Sequence, residues 1–416
     1  MMKMLAEAQY SARAAGASGA GGLSEAELHA GATLSAASRR VGVRRLVLTD
    51  FRNYCEARLA LGTAPVVLSG ANGAGKTNLL EALSLFAPGR GLRRARLSDL
   101  DRRRADGAAM GRGWAVAATF DTPRGTLRLG TGRDPGGSER RQVRIDGEPA
   151  KSQAALGERL GILWLTPVMD RIFLEGPGGR RRFLDRLVLG LDPAHGGRVA
   201  AYEEAMRERS RLLRDGSADA AWLAALEEVM AKEGVAVAAG RRETADRLDR
   251  TCAAAQGPFP RARLSLLGAI EEGLAGRPAL AVEEEFAAAL RQSRAADAAL
   301  GGATIGPHRT DLAVAYAEKG IAAANASTGE QKALLVAILL AQARLQREIR
   351  GEAPLLLLDE VAAHLDESRR EALFAALLGL EGQVWLSGTD AGLFAPLRPA
   401  AQFVAVRDGT LAGDCL

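Results

Sequence analysis

Gly70-Ala71-Asn72-Gly73-Ala74-Gly75-Lys76-Thr77 is the stretch that decides the fold. It satisfies G-x-x-x-x-G-K-[ST], and its surroundings matter as much as its letters. The apolar run Pro65-Val66-Val67-Leu68-Ser69 precedes it and a periodic apolar stretch from Asn78 to Phe86 follows, giving strand, loop, helix. In that order the motif has a mechanism. Glycines let successive backbone N–H groups turn toward one centre, and the helix start adds the positive end of its dipole. Lys76 then neutralises β- and γ-phosphate charge, and Thr77 ligates Mg²⁺. A turn that is merely rich in glycine, in a chain holding 48 of them, would not need this context. The predicted ATP ligands here are Gly70, Asn72, Gly73, Gly75, Lys76, Thr77 and Asn78, with Lys76 also assigned to catalysis.

Further along, Pro354-Leu355-Leu356-Leu357-Leu358-Asp359-Glu360 is an apolar run ending in two acids. A buried parallel strand delivers carboxylates in this way to its C-terminal edge, where a phosphate-binding loop also opens. Asp359 is expected to hold Mg²⁺, and Glu360 to polarise the attacking water. Between the two motifs stands Ser327-Thr328-Gly329-Glu330-Gln331-Lys332, a polar turn opening an apolar helix. Alone it would be a capping signal. Taken in order with the glycine-rich loop, the Asp-Glu strand and Ala363-His364-Leu365-Asp366, it resembles the ABC-type ATPases. The resemblance implies an α/β, P-loop ATPase head in which Ser327, Gly329 and Gln331 of one subunit meet the γ-phosphate held by another. It also implies a place for Asp366 in the loop coupling the two sites. Transporter-type members carry a histidine after the strand Val384-Trp385-Leu386-Ser387-Gly388; Thr389-Asp390 stand here instead, which predicts slow turnover.

The rest of the chain sets bounds on that reading. Its 416 residues are enough for two or three domain-sized units, and 47% hydrophobic with 25% charged residues is ordinary for a globular protein. With 55 Lys+Arg against 50 Asp+Glu, the net charge of +5 favours an acidic partner such as nucleic acid. Only six lysines occur, at 3, 76, 151, 232, 319 and 332, the other cations being arginine. Cys55, Cys252 and Cys415 are too scattered for a zinc site or a disulfide framework, which fits a reducing cytoplasm. Even the apolar run Ala333 to Leu340 is short and soon reaches Arg344 and Arg347, so no membrane span is expected.

Composition divides the chain into four stretches. Residues 1–43, rich in Ala, Gly and Ser, are expected to be a flexible extension or the product of a misplaced start. Residues 44–177 hold the first part of the head, with strands at Arg44–Thr49 and Pro65–Ser69 and a meander of short strands from Trp114 to Gly147. Residues 178–300 turn to Ala, Leu, Glu and Arg at helical spacing, too irregular for a long coiled coil, and are expected to form a helical lobe or short arm. Residues 301–416 return to strands and helices: Asp311–Tyr316, about 330–347, Leu355–Leu358, Glu367–Leu378 and Val384–Leu386.

Several segments resemble the RecF family of bacterial recombination mediators, relatives of the SMC heads. They are Leu48-Thr49-Asp50-Phe51-Arg52-Asn53-Tyr54, Gly176-Pro177-Gly178-Gly179-Arg180-Arg181-Arg182-Phe183-Leu184-Asp185, Tyr202 to Leu213, Gly306-Pro307-His308-Arg309-Thr310-Asp311-Leu312, and Leu358 through Asp366. The match covers most of the chain after Arg44 and departs at Val168, where members often carry an acid. It implies an ATP-dependent homodimer on DNA near single-strand gaps, RecR and RecO as partners, and assistance to RecA loading. His308 and Arg309 are either a core pair or a contact on the γ-phosphate side.

A basic stretch, Gly89-Arg90-Gly91-Leu92-Arg93-Arg94-Ala95-Arg96 with Arg102-Arg103-Arg104, follows the first helix of the head. Arg90, Arg93, Arg94 and Arg96 are the candidate DNA contacts, and the lack of interleaved aromatics points to backbone and shape rather than base stacking. The alternative function is the soluble ATPase subunit of a transporter, which predicts a switch histidine and little DNA affinity. A scaffold with structural ATP is the third, and it would leave Glu360 idle.

Overall fold

The computed structural model describes residues 40–103, 111–135, 140–216 and 219–413. The expected N-terminal extension up to residue 39, Arg104, Cys415 and the side chain of His364 lie outside the described residues.

The described residues divide into two compact units, one of residues up to 167 together with those from 346 on, the other of residues 168–345. The first holds two six-stranded sheets. One is antiparallel, its strands running in the order Tyr54–Ala60, Gly42–Phe51, Trp114–Thr122, Gly125–Arg133, Gln142–Ile145 and Glu148–Pro149. Alternation builds its buried face: Leu46 and Leu48 are fully buried, and Phe51 meets Trp114 edge to face at 5.5 Å.

The other sheet runs Thr410–Gly413, Gln402–Arg407, Val66–Ser69, Val384–Gly388, Leu355–Leu358 and Ile162–Leu165. All its neighbours pair parallel except the first two strands. The helix Lys76–Ser84 follows Val66–Ser69 through the glycine-rich loop. It buries Leu79, Leu80 and Leu83, and the next residue but one beyond it, Phe86, packs edge to face on Phe120 of the antiparallel sheet. Parallel strands covered on both faces read as continuous apolar runs, and Leu355–Leu358 is buried throughout.

The second unit is mostly helical. Pro177–Leu191, His195–Asp215, the 34-residue Ala220–Ala253 and Ala279–Gln292 enclose a core of Tyr202, Met230, Val235, Ile270, Phe286 and Leu290. At 1.5 Å per residue the longest helix spans about 50 Å. One strand, Ala262–Leu267, falls inside the stretch read as helical; it pairs antiparallel with Asp311–Tyr316. Its residues, Ala-Arg-Leu-Ser-Leu-Leu, carry helix propensity, and a pairing made about fifty residues away overrides it. The units part at 167/168 and 345/346, whereas composition had drawn the limits of the lobe at 178 and 300. Packing of the small sheet with the helices, not helix content, sets the observed division.

Candidate functional site

The glycine-rich loop is a backbone cradle whose shape is set from outside. Gly70, Gly73 and Gly75 have φ of 154°, 81° and 120°, a region open at low cost only to glycine. A Cβ on Gly70 would lie 2.2 Å from the Val406 carbonyl oxygen, and one on Gly75 2.6 Å from the Tyr54 hydroxyl. Lys76 is 4% exposed, and its Nζ donates to the carbonyls of Gly70 (2.8 Å) and Ala71 (2.9 Å). Burial lowers the lysine's pKa, while Glu360 and Asp359 oppose that shift.

Strand order brings the acids to this loop. The strand Val384–Gly388 lies between Val66–Ser69 and Leu355–Leu358, so three parallel C-terminal ends converge. Thr77 Oγ1 is 3.0 Å from both carboxylate oxygens of Asp359. Ser387, at the end of the intervening strand, donates to Asp359 Oδ1 at 2.6 Å and accepts from the Glu360 N–H at 3.0 Å. Glu360 has φ 52°, an uncommon conformation for a side-chain-bearing residue and one that costs on the order of 1 kcal/mol or more. A hydroxyl and a carboxylate converging at 3 Å are hard oxygen donors suited to Mg²⁺, which takes one or two protein oxygens and completes its shell with water and phosphate. Among the described residues no cluster of three or more His, Cys, Asp or Glu could hold a metal.

Behind the loop stands a buttress of Arg52, Asn53 and Tyr54, to which the sequence assigned no role, and it also engages the side chain of Asn78, a predicted ATP ligand. Asn53 donates to the Ala74 carbonyl (3.0 Å), Tyr54 to the Gly75 carbonyl (3.1 Å), and Asn78 to Asn53 Oδ1 (2.8 Å). Arg52 grips Glu81 of the helix Lys76–Ser84 through two bonds of 2.8 and 2.7 Å and donates to the Asp99 carbonyl. A cluster of polar side chains directly after a strand, at 52–54, was the available signal. Ser387 gave none, since a serine ending an apolar strand is common.

In the second unit Ser327 caps the helix Thr328–Arg350. Its N–H donates to Glu330 Oε2 at 3.0 Å, and its hydroxyl oxygen accepts from the Glu330 N–H at 3.4 Å. Ser327 and Thr328 are exposed, and a Cβ on Gly329 would meet nothing within 4 Å. Gln331 is 2% exposed and donates to the carbonyls of Ala326 (2.9 Å) and Ala324 (3.4 Å), holding the turn from behind. In the first unit Asp366 caps the helix Glu367–Gly379 by accepting from the Arg369 N–H at 2.8 Å. Asp390 likewise accepts from Gly392 N–H, at 2.7 Å.

The candidate DNA residues separate into two kinds. Arg90 and Arg96 line an open groove of about 710 Å³ with Ser98, Arg140, Arg141 and Gln153, and no carboxylate lines it among the described residues. Arg141 forms its inner edge. It donates to the carbonyls of Leu85 and Gly89, to Thr131 Oγ1 and to Gln153 Oε1, and burial pushes its pKa down to about 10. Arg93 instead points back to the helix, donating to Asn78 Oδ1 (2.6 Å) and Glu81 Oε2 (3.0 Å). Arg94 is exposed at φ 55°. As for His308, Tyr202 holds its Nδ1 at 2.7 Å and Ala303 O its Nε2 at 2.8 Å, while burial lowers its pKa. Both ring nitrogens are thus engaged within the chain: Nε2–H donates to the carbonyl and Nδ1 accepts from the tyrosine.

Comparison with known proteins agrees with this architecture. The family described as RecF/RecN/SMC N terminal domain matches residues 42–386. The chain is 49% identical to the DNA replication and repair protein RecF of Rhizobium etli, covering 90% of this chain and 99% of that protein. It is 50% identical to the protein of the same name from Brucella suis, covering 90% and 97%. A solved structure of the recombination mediator protein RecF-ATPrS in the RecFOR pathway superposes with a TM-score of 0.79 at 20% identity, over 91% of this chain and 99% of that one. An SMC head from Pyrococcus furiosus does so at 0.51 and 18%, over 90% and 96%. At those identities the likeness establishes the fold, an α/β ATPase head of the SMC type.

Proposed function

The chain belongs to the RecF family of DNA replication and repair proteins, and from that premise we propose that it is an ATPase whose bound ATP closes two copies of it on duplex DNA beside single-strand gaps. One observation carries the reading: Lys76, Thr77, Asp359 and Glu360 come together at a loop whose backbone path is open at low cost only to glycine. Lys76 and the loop N–H groups hold the β- and γ-phosphates, with Asn72 and Asn78 beside them. Thr77 and Asp359 hold Mg²⁺, which lowers the charge of the triphosphate when bound. Ser387 fixes the carboxylate of Asp359 and the backbone of Glu360, and Glu360 accepts the proton of the attacking water.

Ser327 and Gly329 act on the γ-phosphate of the other copy, and Gln331 keeps their turn in shape. Asp366 sets the loop that couples the two sites. A helical glycine that nothing in its own chain crowds is what a turn approached by an outside phosphate requires, and this supports the trans assignment. As functional divisions, residues 44–177 and 301–416 make up the head and 178–300 the lobe, limits that differ from those of the two compact units at 167/168 and 345/346. The groove of Arg90, Arg96, Arg140 and Arg141 supports contact with the DNA backbone. By its family the chain works with RecR and RecO and, through them, assists RecA in the cytoplasm. Nothing supports the transporter alternative, and the relatives at half identity are DNA replication and repair proteins.

Two variants test the reading. Lys76→Ala is expected to lose ATP binding, and Glu360→Gln to bind ATP and remain a dimer on DNA. Sizing chromatography with ATP decides it: a Glu360→Gln chain that stays monomeric rules out the sandwich.

A further inference from the structure

We propose that Lys319 belongs to the phosphate-facing half-site, where it neutralises Glu330 so that the Ser327–Gly329 turn can receive the γ-phosphate of a nucleotide held by a second copy of this chain. The proposal rests on the sandwich reading above and adds a residue that no motif contains.

The problem it solves is electrostatic. Ser327 and Glu330 form a reciprocal capping box, which fixes the turn and leaves specific donors pointing outward. The Ser327 hydroxyl oxygen accepts from Glu330 N–H, so its own proton is available to a ligand. The N–H groups of Thr328 and Gly329 belong to the first helical turn, which has no intrahelical acceptors for them. The same box, however, places a carboxylate beside these donors. Glu330 is held ionised, its pKa lowered to about 2 by the Lys319 bond first and the Ser327 N–H second. A full negative charge so close to the donors repels the phosphate they serve.

Lys319 cancels that charge. Its Nζ lies 2.6 Å from Glu330 Oε1, on the carboxylate oxygen that Ser327 leaves free, and 5.6 Å from the centre of the Tyr316 ring. It stands on the turn that joins Asp311–Tyr316 to Ile321–Ala322, closed by Gly320 at φ 63° and a Gly320 N–H bond to the Tyr316 carbonyl of 2.9 Å. The turn thus presents an ammonium to a helix start that begins eight residues later. With 51% of its side chain exposed, the pair adds little to the stability of a single chain. Its effect belongs to the encounter with an anion. Lys319 is a positioning residue; it contacts the acid, not the reacting atoms.

The test uses the full chain and four variants: Lys319→Gln, Lys319→Arg, Glu330→Gln and the double Lys319→Gln/Glu330→Gln. Each is measured for nucleotide affinity as a monomer, melting temperature, and dimerisation with a non-hydrolysable ATP analogue by light scattering. Lys319→Gln is expected to weaken dimerisation about tenfold or more, with monomer affinity and melting temperature unchanged. Lys319→Arg restores it by keeping the charge. The double variant also restores it, because glutamine keeps the capping geometry without the charge. Dimerisation of Lys319→Gln at the native level overturns the proposal, and so does a double variant as weak as the single one. If the native chain itself fails to dimerise with the analogue, the sandwich reading falls and this proposal with it.

Discussion

Asp359 directly follows the strand Leu355–Leu358 and Ser387 lies on the parallel neighbour Val384–Gly388; the serine hydroxyl donates to the carboxylate at 2.6 Å while accepting the backbone N–H of Glu360. One hydroxyl therefore aligns both acids, the one assigned to the metal and the one assigned to water. Ser387→Ala leaves the Glu360 N–H without its acceptor and Asp359 with one donor fewer, each a loss of about 1 kcal/mol. We expect turnover to fall about tenfold, since 1.4 kcal/mol in the barrier is a factor of ten, with ATP affinity close to native. Steady-state hydrolysis beside equilibrium nucleotide binding checks this; an equal loss in both would mean that Ser387 shapes the phosphate cradle instead.

Two glycines that look alike in the motifs should respond differently to alanine. At Gly75 the added carbon would meet the Tyr54 hydroxyl at 2.6 Å and Asn53 Nδ2 at 2.7 Å, in a backbone at φ 120°. The loop must shift, so Gly75→Ala is expected to abolish ATP binding and lower the melting temperature. At Gly329 nothing lies within 4 Å, and alanine is the better helix former. Gly329→Ala is expected to melt at or slightly above the native temperature, to bind ATP as a monomer, and to fail to dimerise. Calorimetry with sizing chromatography separates the two patterns.

These cases show what was legible in the sequence. The loop 70–77, the strand 355–358 and the turn at 327–331 were readable because their chemistry is local: glycines, an apolar run and a cap each act within a few residues. The parts that stayed hidden are contacts between distant segments. Asn53 meets Ala74, Ser387 meets Asp359, and Lys319 on a hairpin turn meets Glu330 of the following helix, none of them marked by spacing. The strand 262–267 was hidden for the same reason, its partner lying beyond three helices. Arg93 was legible as a cation but not as a clamp on Glu81 and Asn78, because only the fold turns it inward.

That difference predicts how the basic stretch divides. Arg90 and Arg96 line the groove, so replacing both with alanine should weaken DNA binding and reduce the slope of log affinity against log salt by about 2. The melting temperature should not move. Arg93→Ala removes one of the two arginines on Glu81, which is 1% exposed, and frees the Asn78 side chain that bonds Asn53. It should disturb ATP binding with little change in the salt slope. Salt titrations of gapped, duplex and single-stranded DNA with ATP, run on both variants, provide the comparison; a salt slope unchanged in the double variant would remove the groove from the DNA path.

The helical unit should respond to acid through a buried node. Arg209, wholly buried, donates to Glu227 (2.9 Å), Asp297 (2.7 Å) and the Leu290 carbonyl (2.6 Å), while Arg294 adds two bonds to Glu227. Burial opposes the ionisation of both acids, but the bonds from Arg294 and Arg209 to Glu227, and from Ser293, Arg209 and Thr304 to Asp297, hold each pKa below its usual value. The sign follows from linkage: the unfolded chain takes up these protons first, at about pH 4, so their stabilisation is complete above that value. It is lost as pH falls through the lower folded values. Arg209→Met leaves Glu227 with Arg294 and Asp297 with only the neutral donors Ser293 and Thr304, and should cost about 3 kcal/mol at neutral pH. Protonation would then relieve Asp297, so between neutral pH and about pH 4, where this node leaves the native chain flat, the variant should gain stability. Denaturant titrations of the far-ultraviolet helix signal from pH 7 to pH 3 measure both slopes; parallel slopes in the two chains would show that the acid response arises elsewhere.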